Sequence, residues 1–428
     1  MSLFQKLRNA YEMAMAGAYY YAKWDYETSM NIIRDRRRLA TVMVLVTIPL
    51  LLYPVVAADL PSVLGGKNTF GPVHFTNEML IVSILIGLAA GLVTGCIGAG
   101  GGFIITPALM SVGVKGIIAV GTDQFHIFAK SIMGTVVHKK LGNVCVALAI
   151  AFVIGSVTGA TVGGYINREI YYMNPVLSDI FINIVYVFLL GFLGIFATYD
   201  FLRLRKMSAE FGKSSPTATD GGQQVIGMTS LARRVQSIEI PPVINFDQEL
   251  GGRKVSAWFV IGCGFIVGLV SAIMGVGGGF LTFPMYVYVL GVSSFTTVGT
   301  DIFQIIITAG YSSVTQYAIY GFVFFTLSMG LLLGSLVGIQ IGSLVTKVAK
   351  GMYIRGFYAT VIMAGFINRL FALPSKFAYV GWIPLDKSIA NIIDTAGMVL
   401  FFAVVGFFAV WVITKFVANL NVLRGDEV

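Results

Sequence analysis

The sequence predicts an all-α polytopic membrane protein. Its expected plan is two inverted repeats, each of three spans plus a Gly-broken re-entrant hairpin, behind an extra N-terminal span. Three observations predict it: a composition too apolar for a water-facing surface, a series of hydrophobic segments of spanning length, and an internal repeat with an odd number of crossings per copy.

Of 428 residues, 57% are hydrophobic and 11% charged, whereas soluble domains carry about 25% charged residues. Mean hydropathy is +0.84. A spanning helix takes roughly 20 apolar residues, which leaves room for roughly eight to ten of them. The net charge of +9 would suit nucleic acid in a soluble protein. Here the cations stand between apolar stretches, so they report topology, and no nucleic-acid partner is expected. The three cysteines, Cys96, Cys145 and Cys263, lie in apolar segments without metal-ligand spacing, so neither disulfides nor a metal site are expected.

In chain order, residues 1–38 form a cytoplasmic amphipathic segment that ends in Arg34, Arg36, Arg37 and Arg38. Residues 39–58 are expected to form an uncleaved N-terminal transmembrane helix, the alternative being a signal peptide cleaved near Ala58, for which the stretch before them is too long and the run is long enough to span. Repeat 1 covers 79–202, a cytoplasmic flexible loop 203–254, repeat 2 255–371, and a final helix 392–416. Residues 103–112 and 280–290 are short, and each follows a glycine cluster. Ten or eleven helical residues rise ~16 Å, about half the hydrocarbon core, so each reads as half of a broken hairpin.

With residues 1–38 inside, 22 of the 29 Lys and Arg fall on the cytoplasmic side. Six fall outside: Lys67, Lys115, Arg168, Arg369, Lys376 and Lys387. The excess supports that orientation.

The repeat is legible residue by residue. Gly91-Leu92-Val93, Gly98-Ala99-Gly100-Gly101-Gly102-Phe103 and Pro107 recur as Gly268-Leu269-Val270, Gly275-Val276-Gly277-Gly278-Gly279-Phe280 and Pro284 at an offset of 177. Val120-Gly121-Thr122-Asp123 recurs as Val298-Gly299-Thr300-Asp301 at 178, and Gly155-Ser156, Gly159 and Gly163 recur as Gly334-Ser335, Gly338 and Gly342 at 179. Inverted repeats with interrupted helices mark secondary transporters whose site lies near the midplane. A duplicated bundle without transport is the plainer alternative.

The glycine clusters permit tight turns in lipid only where they are buried or line a cavity. Each opens a half-helix with free N–H donors and a partial positive end, which suits an anion. Asp123, His126 and Lys130, at i, i+3 and i+7, share one helix face. Such ionisable groups at membrane depth are expensive and mark pathways. The alternatives are an Asp123–Lys130 pair that only packs helices, and Asp123 and Asp301 acting as helix caps after Gly-Thr. The second copy has Gln304 and Thr308 where the first has His126 and Lys130, so the site is expected to be asymmetric. The candidate substrate-binding set is Gly100, Gly101, Gly102, Thr122, Asp123, His126, Lys130, Gly277, Gly278, Gly279, Thr300, Asp301 and Gln304. No catalytic residue and no cofactor are expected.

The doubled G-x-G-G-G-F-x-x-x-P block and the doubled G-T-D resemble the TauE/SafE family of sulfite exporters, over about 79–416. The resemblance implies a permease of the prokaryotic inner membrane, and a sulfite-like or organosulfonate anion as solute. The N-terminal extension, leading span and central loop depart from the family's compact form. Alternatives from other classes are a passive anion channel and an intramembrane enzyme. Two aspartates that the repeat already explains argue against the enzyme. Substrate, direction, coupling ion and pairing as a homodimer are left open.

Overall fold

A computed structural model describes residues 77–97, 101–141, 145–210, 230–247, 252–277, 281–282, 285–346, 348–349 and 351–419. The N-terminal segment 1–38, the expected span 39–58, and Gly100, Gly278 and Gly279 lie outside the described residues.

Eleven α-helices are described: α1 Asn77–Ile97, α2 Gly102–Ser111, α3 Gly116–Leu141, α4 Val146–Met173, α5 Pro175–Glu210, α6 Ser230–Gln236, α7 Ala257–Met274, α8 Ser294–Tyr311, α9 Phe325–Val345, α10 Gly351–Val380 and α11 Lys387–Ala418. Seven of them, α1, α4, α5, α7, α9, α10 and α11, are long and apolar enough to cross a membrane. Rows of large apolar side chains stay exposed on them, including Ile150 and Ile154 on α4, Phe188, Phe192 and Ile195 on α5, and Val399, Phe407 and Val410 on α11. Such a girdle would aggregate in water and suits lipid. The chain is a multi-pass membrane protein. α3 falls outside the seven, although its 26 residues rise ~39 Å. Asp123, His126 and Lys130 make it more polar.

Local chemistry sets the boundaries. Pro175 opens α5, where its missing N–H costs nothing, and Asn174 Oδ1 accepts from Val176 N at 2.9 Å. Gly275, at φ 78°, ends α7 in the left-handed conformation, with its N–H on Ser271 O at 2.8 Å, a geometry glycine adopts without strain. Gly101, at φ 65°, precedes α2 in the same conformation.

The helices pack across the two halves. α1 lies along α9, α4 along α7, α3 along α8 and α5 along α10. Glycines make the first two contacts. Side chains on Gly87, Gly91 and Gly95 of α1 would strike the carbonyls of Leu331, Ser335 and Ile339, and those on Gly334, Gly338 and Gly342 of α9 the carbonyls of Ile84, Leu88 and Leu92. The α4–α7 contact has the same form. Gly155, Gly159 and Gly163 face the carbonyls of Ile261, Phe265 and Leu269, while Gly264 and Gly268 face those of Phe152 and Ser156. With no hydrophobic drive between helices in lipid, close backbone approach supplies the attraction.

The described residues are mostly helical, as the all-α plan expects, and the architecture departs from that plan in three respects. Val243–Phe246 (β1) pairs antiparallel with Arg253–Ser256 (β2). The stretch 203–254 therefore holds regular elements where it is described. α5 runs on to Glu210, α6 follows, and then the hairpin, whose Ile244, Phe246 and Val255 are buried with Phe152, Val260 and Tyr286. The first short segment is a short helix as expected, α2 at 10 residues. The second short segment is wound as a π-turn over Met285–Val289, among the residues described there. Finally, Asp123 and Asp301 lie inside α3 and α8 and do not cap them. The apolar run Ile117–Val120 already belongs to α3, and Ser293 caps α8, accepting from Thr296 N.

Candidate functional site

α2 is buried on every side from Gly102 to Leu109, as expected of a helix with protein all around it. Its start meets the second glycine break. A Cβ on Gly102 would stand 3.1 Å from Val276 Cα and 3.3 Å from Asp123 Oδ2, and one on Gly275 would stand 2.8 Å from Val120 Cα and 2.9 Å from Thr106 Oγ1. Ile127 of α3 touches both breaks: Cβ atoms on Gly102 and Gly277 would meet its Cδ1 at 3.4 and 2.8 Å. The breaks are thus neighbours, packed around one helix.

The cut end of α7 leaves carbonyls that the helix cannot pair. Two side chains from elsewhere take such carbonyls, Tyr186 Oη donating to Met274 O at 2.6 Å and Tyr317 Oη to Ala272 O, while Gln124 Nε2 adds a second donor at 2.7 Å to the Ser271 O that already accepts from Gly275 N.

Two polar chains flank the breaks, one from each half. In the first, Thr106 Oγ1 donates to Asp123 Oδ2 at 3.0 Å. Asp123 Oδ1 faces His126 Nδ1 at 3.4 Å, and His126 Nε2 bonds Ser335 Oγ of α9 at 2.9 Å. Asp123 and His126 are buried, and the two atoms that face each other have no hydrogen-bond partner. In the second, Gln304 Nε2 donates to Asp301 Oδ1 at 2.9 Å and reaches Thr282 Oγ1 at 3.4 Å. Thr308 Oγ1 donates to Gln304 Oε1 at 3.0 Å and bonds Ser156 Oγ of α4 at 2.6 Å. Ser156 and Ser335 are the repeat-related pair.

The first chain places a carboxylate, rather than an open anion cradle, at the start of α2. The partial positive end of that helix favours the charge. An imidazole within 3.4 Å can exchange a proton with it.

Thr122 and Thr300 brace the halves. Thr122 Oγ1 accepts from Phe324 N just before α9, and Thr300 Oγ1 from Cys145 N just before α4, each at 3.0 Å. Lys130 is half-buried, one turn beyond His126 on the same face of α3. Thus Gly101, Gly102, Asp123 and His126 come together with Gly277, while Asp301 and Gln304 form their own chain. Among the described residues no group of His, Cys, Asp and Glu could hold a metal.

Arg168 and Arg369, counted among the external charges, are in fact buried within α4 and α10. Arg168 Nη1 donates to Gln316 O and Oε1, both at 2.8 Å, and its guanidinium lies 4.1 Å from the Tyr320 ring centre. Arg369 sits between Asn183 and Asn368. A repeat signal for this pair was present: Ile182-Asn183 recurs as Ile367-Asn368 at an offset of 185.

Comparison with known proteins gives one family match and several relatives. The family model described as "Sulfite exporter TauE/SafE" matches residues 83–369, more than half of the chain. "Probable membrane transporter protein YjnA" of Bacillus subtilis is 27% identical over 270 residues, covering 62% of this chain and 89% of that protein. A "Probable membrane transporter protein" of Xylella fastidiosa is 25% identical over 271 residues, 63% of this chain and 85% of its own. "Sulfite exporter TauE/SafE family protein 3" of Arabidopsis thaliana is 31% identical over 100 residues, 23% of this chain and 21% of its own. No solved structure matches.

Proposed function

Because the chain belongs to the sulfite exporter TauE/SafE family of membrane transporters, we propose that it carries sulfite or a related small organosulfur oxyanion across the inner membrane by alternating access. The observation that carries this reading is the meeting of the two glycine breaks at Gly102 and Val276, with Asp123 and His126 buried beside them. The reciprocal packing of α1 on α9 and α4 on α7 supports an inverted repeat, the arrangement in which one half rocks against the other. The Lys and Arg count supports a cytoplasmic N-terminus and a cytoplasmic 203–254 stretch.

Asp123 and His126 handle a proton, and the solute enters beside them with Lys130 as the nearby cation. Proton uptake removes the negative charge that repels an anion from the start of α2, so proton and anion would move together. Ile127 fills the space between the breaks in this conformation, which favours a carrier over an open anion channel, the alternative reading.

Counterflow in proteoliposomes tests the reading. A carrier gives saturable sulfite uptake that internal sulfite accelerates. Uptake linear in concentration, without trans-stimulation, would make the protein a channel.

A further inference from the structure

A second charged cluster lies at the far end of the bundle. α4 is 28 residues long and rises ~42 Å. Its Cys145 end adjoins α8 near the β-hairpin, and its Tyr171 end adjoins Lys115. Beside that second end, Arg369, Lys376 and Asp394, with Ser111 from the end of α2, line a cavity of about 220 Å³.

Arg369 is 2% exposed. Its Nε and Nη2 donate to Asn368 Oδ1 at 2.7 and 2.5 Å, its Nη2 also to Ser111 Oγ at 2.5 Å, and its Nη1 to Asn183 Oδ1 at 3.2 Å. Every one of these acceptors is uncharged. Among the described residues no carboxylate lies within ion-pair distance of the guanidinium. Asp179 is engaged by Lys376 Nζ at 2.9 Å and by Gly116 N at 2.8 Å, and Asp394 accepts from Ser375 Oγ at 3.2 Å. Asn368 is fully buried, and its Nδ2 has no acceptor. A buried cation whose hydrogen-bond acceptors are all neutral, with Asp394 and Asp179 only at longer range, is costly, and a closer counter-ion relieves that cost.

The cavity's size suits a small counter-ion. A water occupies about 30 Å³, and sites for drug-sized ligands begin near 300 Å³. A small oxyanion with a few waters fits between these limits. Four of the five guanidinium N–H donors are already engaged, so the anion would meet the remaining Nη1 donor and the fixed positive charge of Arg369 together with Lys376.

We propose that this cavity is a second anion-binding site, separate from the glycine breaks, which takes a small oxyanion on Arg369 with Lys376 at its edge and Asp394 as a built-in competitor. It extends the reading of the solute as an anion but rests on different residues. Asp394 keeps affinity low enough for release, so the site loads the pathway without trapping its solute.

The test is calorimetric titration of the purified full chain, in detergent free of charged lipid, with sulfite and separately with sulfate. Asp394→Asn should tighten binding roughly three- to tenfold by removing a like charge from the wall. Arg369→Gln should weaken it at least tenfold, with Arg369→Lys intermediate because the charge is kept while the planar, anchored guanidinium is lost. If Arg369 variants do not fold, the gain in Asp394→Asn still decides the matter, and it should persist in an Asp123→Asn background. Wild-type affinity in both Asp394→Asn and Arg369→Gln would overturn the proposal. So would occupancy by phosphatidylglycerol in nanodiscs with no response to either free anion. Failure of the transport reading looks different: binding that depends on Arg369 would remain while vesicles showed no sulfite flux.

Discussion

The two halves of the molecule share a scaffold and differ in chemistry. Each has an aspartate inside its helix after Gly-Thr, a threonine bracing the other half, and a polar chain that ends on a serine across the bundle. In the first half the chain runs through a histidine, with Lys130 a turn away. In the second it runs through Gln304 and Thr308, which carry no charge. In the proposed cycle the shared frame would rock between two states, and the asymmetric pair Asp123 and His126 would give it one place to bind and release a proton.

If the frame is shared, damage to either copy should be equal. Gly338→Leu and Gly159→Leu each drive a side chain into backbone carbonyls of the facing helix, Leu88 O in one case and Phe265 O in the other. Backbone cannot rotate away as a side chain can, so each should cost more than the ~1–3 kcal/mol of ordinary overpacking. Size-exclusion profiles of detergent extracts should show folded protein nearly lost in both. Loss in one and tolerance in the other would break the equivalence of the two contacts.

If the chemistry is not shared, neutral substitutions should be unequal. Asp123→Asn should lower proton-coupled uptake about a hundredfold, the scale of a lost proton-transfer group. Asp301→Asn should lower it by roughly tenfold or less, because its partner is a non-titrating amide. His126→Gln copies the second half into the first. It should keep the contact with Ser335 while flattening the pH profile of uptake. An unchanged pH profile in His126→Gln would remove the histidine from the mechanism.

Much of this frame was readable beforehand. The offset pattern of Gly155, Gly159 and Gly163 against Gly334, Gly338 and Gly342 gave the repeat, and the length of 103–112 gave the short helix. An offset cannot say which copy packs on which, so the crossing of α1 to α9 and α4 to α7 appeared only in three dimensions. Asp123 and Asp301 could be read as caps because Gly-Thr-Asp suits a helix start, yet α3 had already begun through the apolar run Ile117–Val120 and α8 behind Ser293. Arg168 and Arg369 looked like flanking charges because they stand near helix ends. Their burial depends on Gln316, Asn183 and Asn368, which are distant in sequence. The hairpin of 243–256 was hidden by polar surroundings. Only alternate residues of its strands face the apolar cluster, and two four-residue strands give too short a pattern to read.

The finest test of the comparison lies in the bracing threonines. Thr122 and Thr300 were both expected to touch the solute, yet each hydroxyl accepts one backbone N–H from the opposite half. Thr122→Val and Thr300→Val keep shape and remove that acceptor, leaving a backbone donor unpaired. Each should lose about 1–3 kcal/mol, the cost of a buried group without its partner, read as a similar drop in thermal unfolding temperature. Uptake per folded molecule should change little in either. Should Thr122→Val abolish sulfite uptake while its melting temperature matches that of Thr300→Val, the hydroxyl would belong to the solute path, and the asymmetry would extend one helical turn further than the charges alone place it.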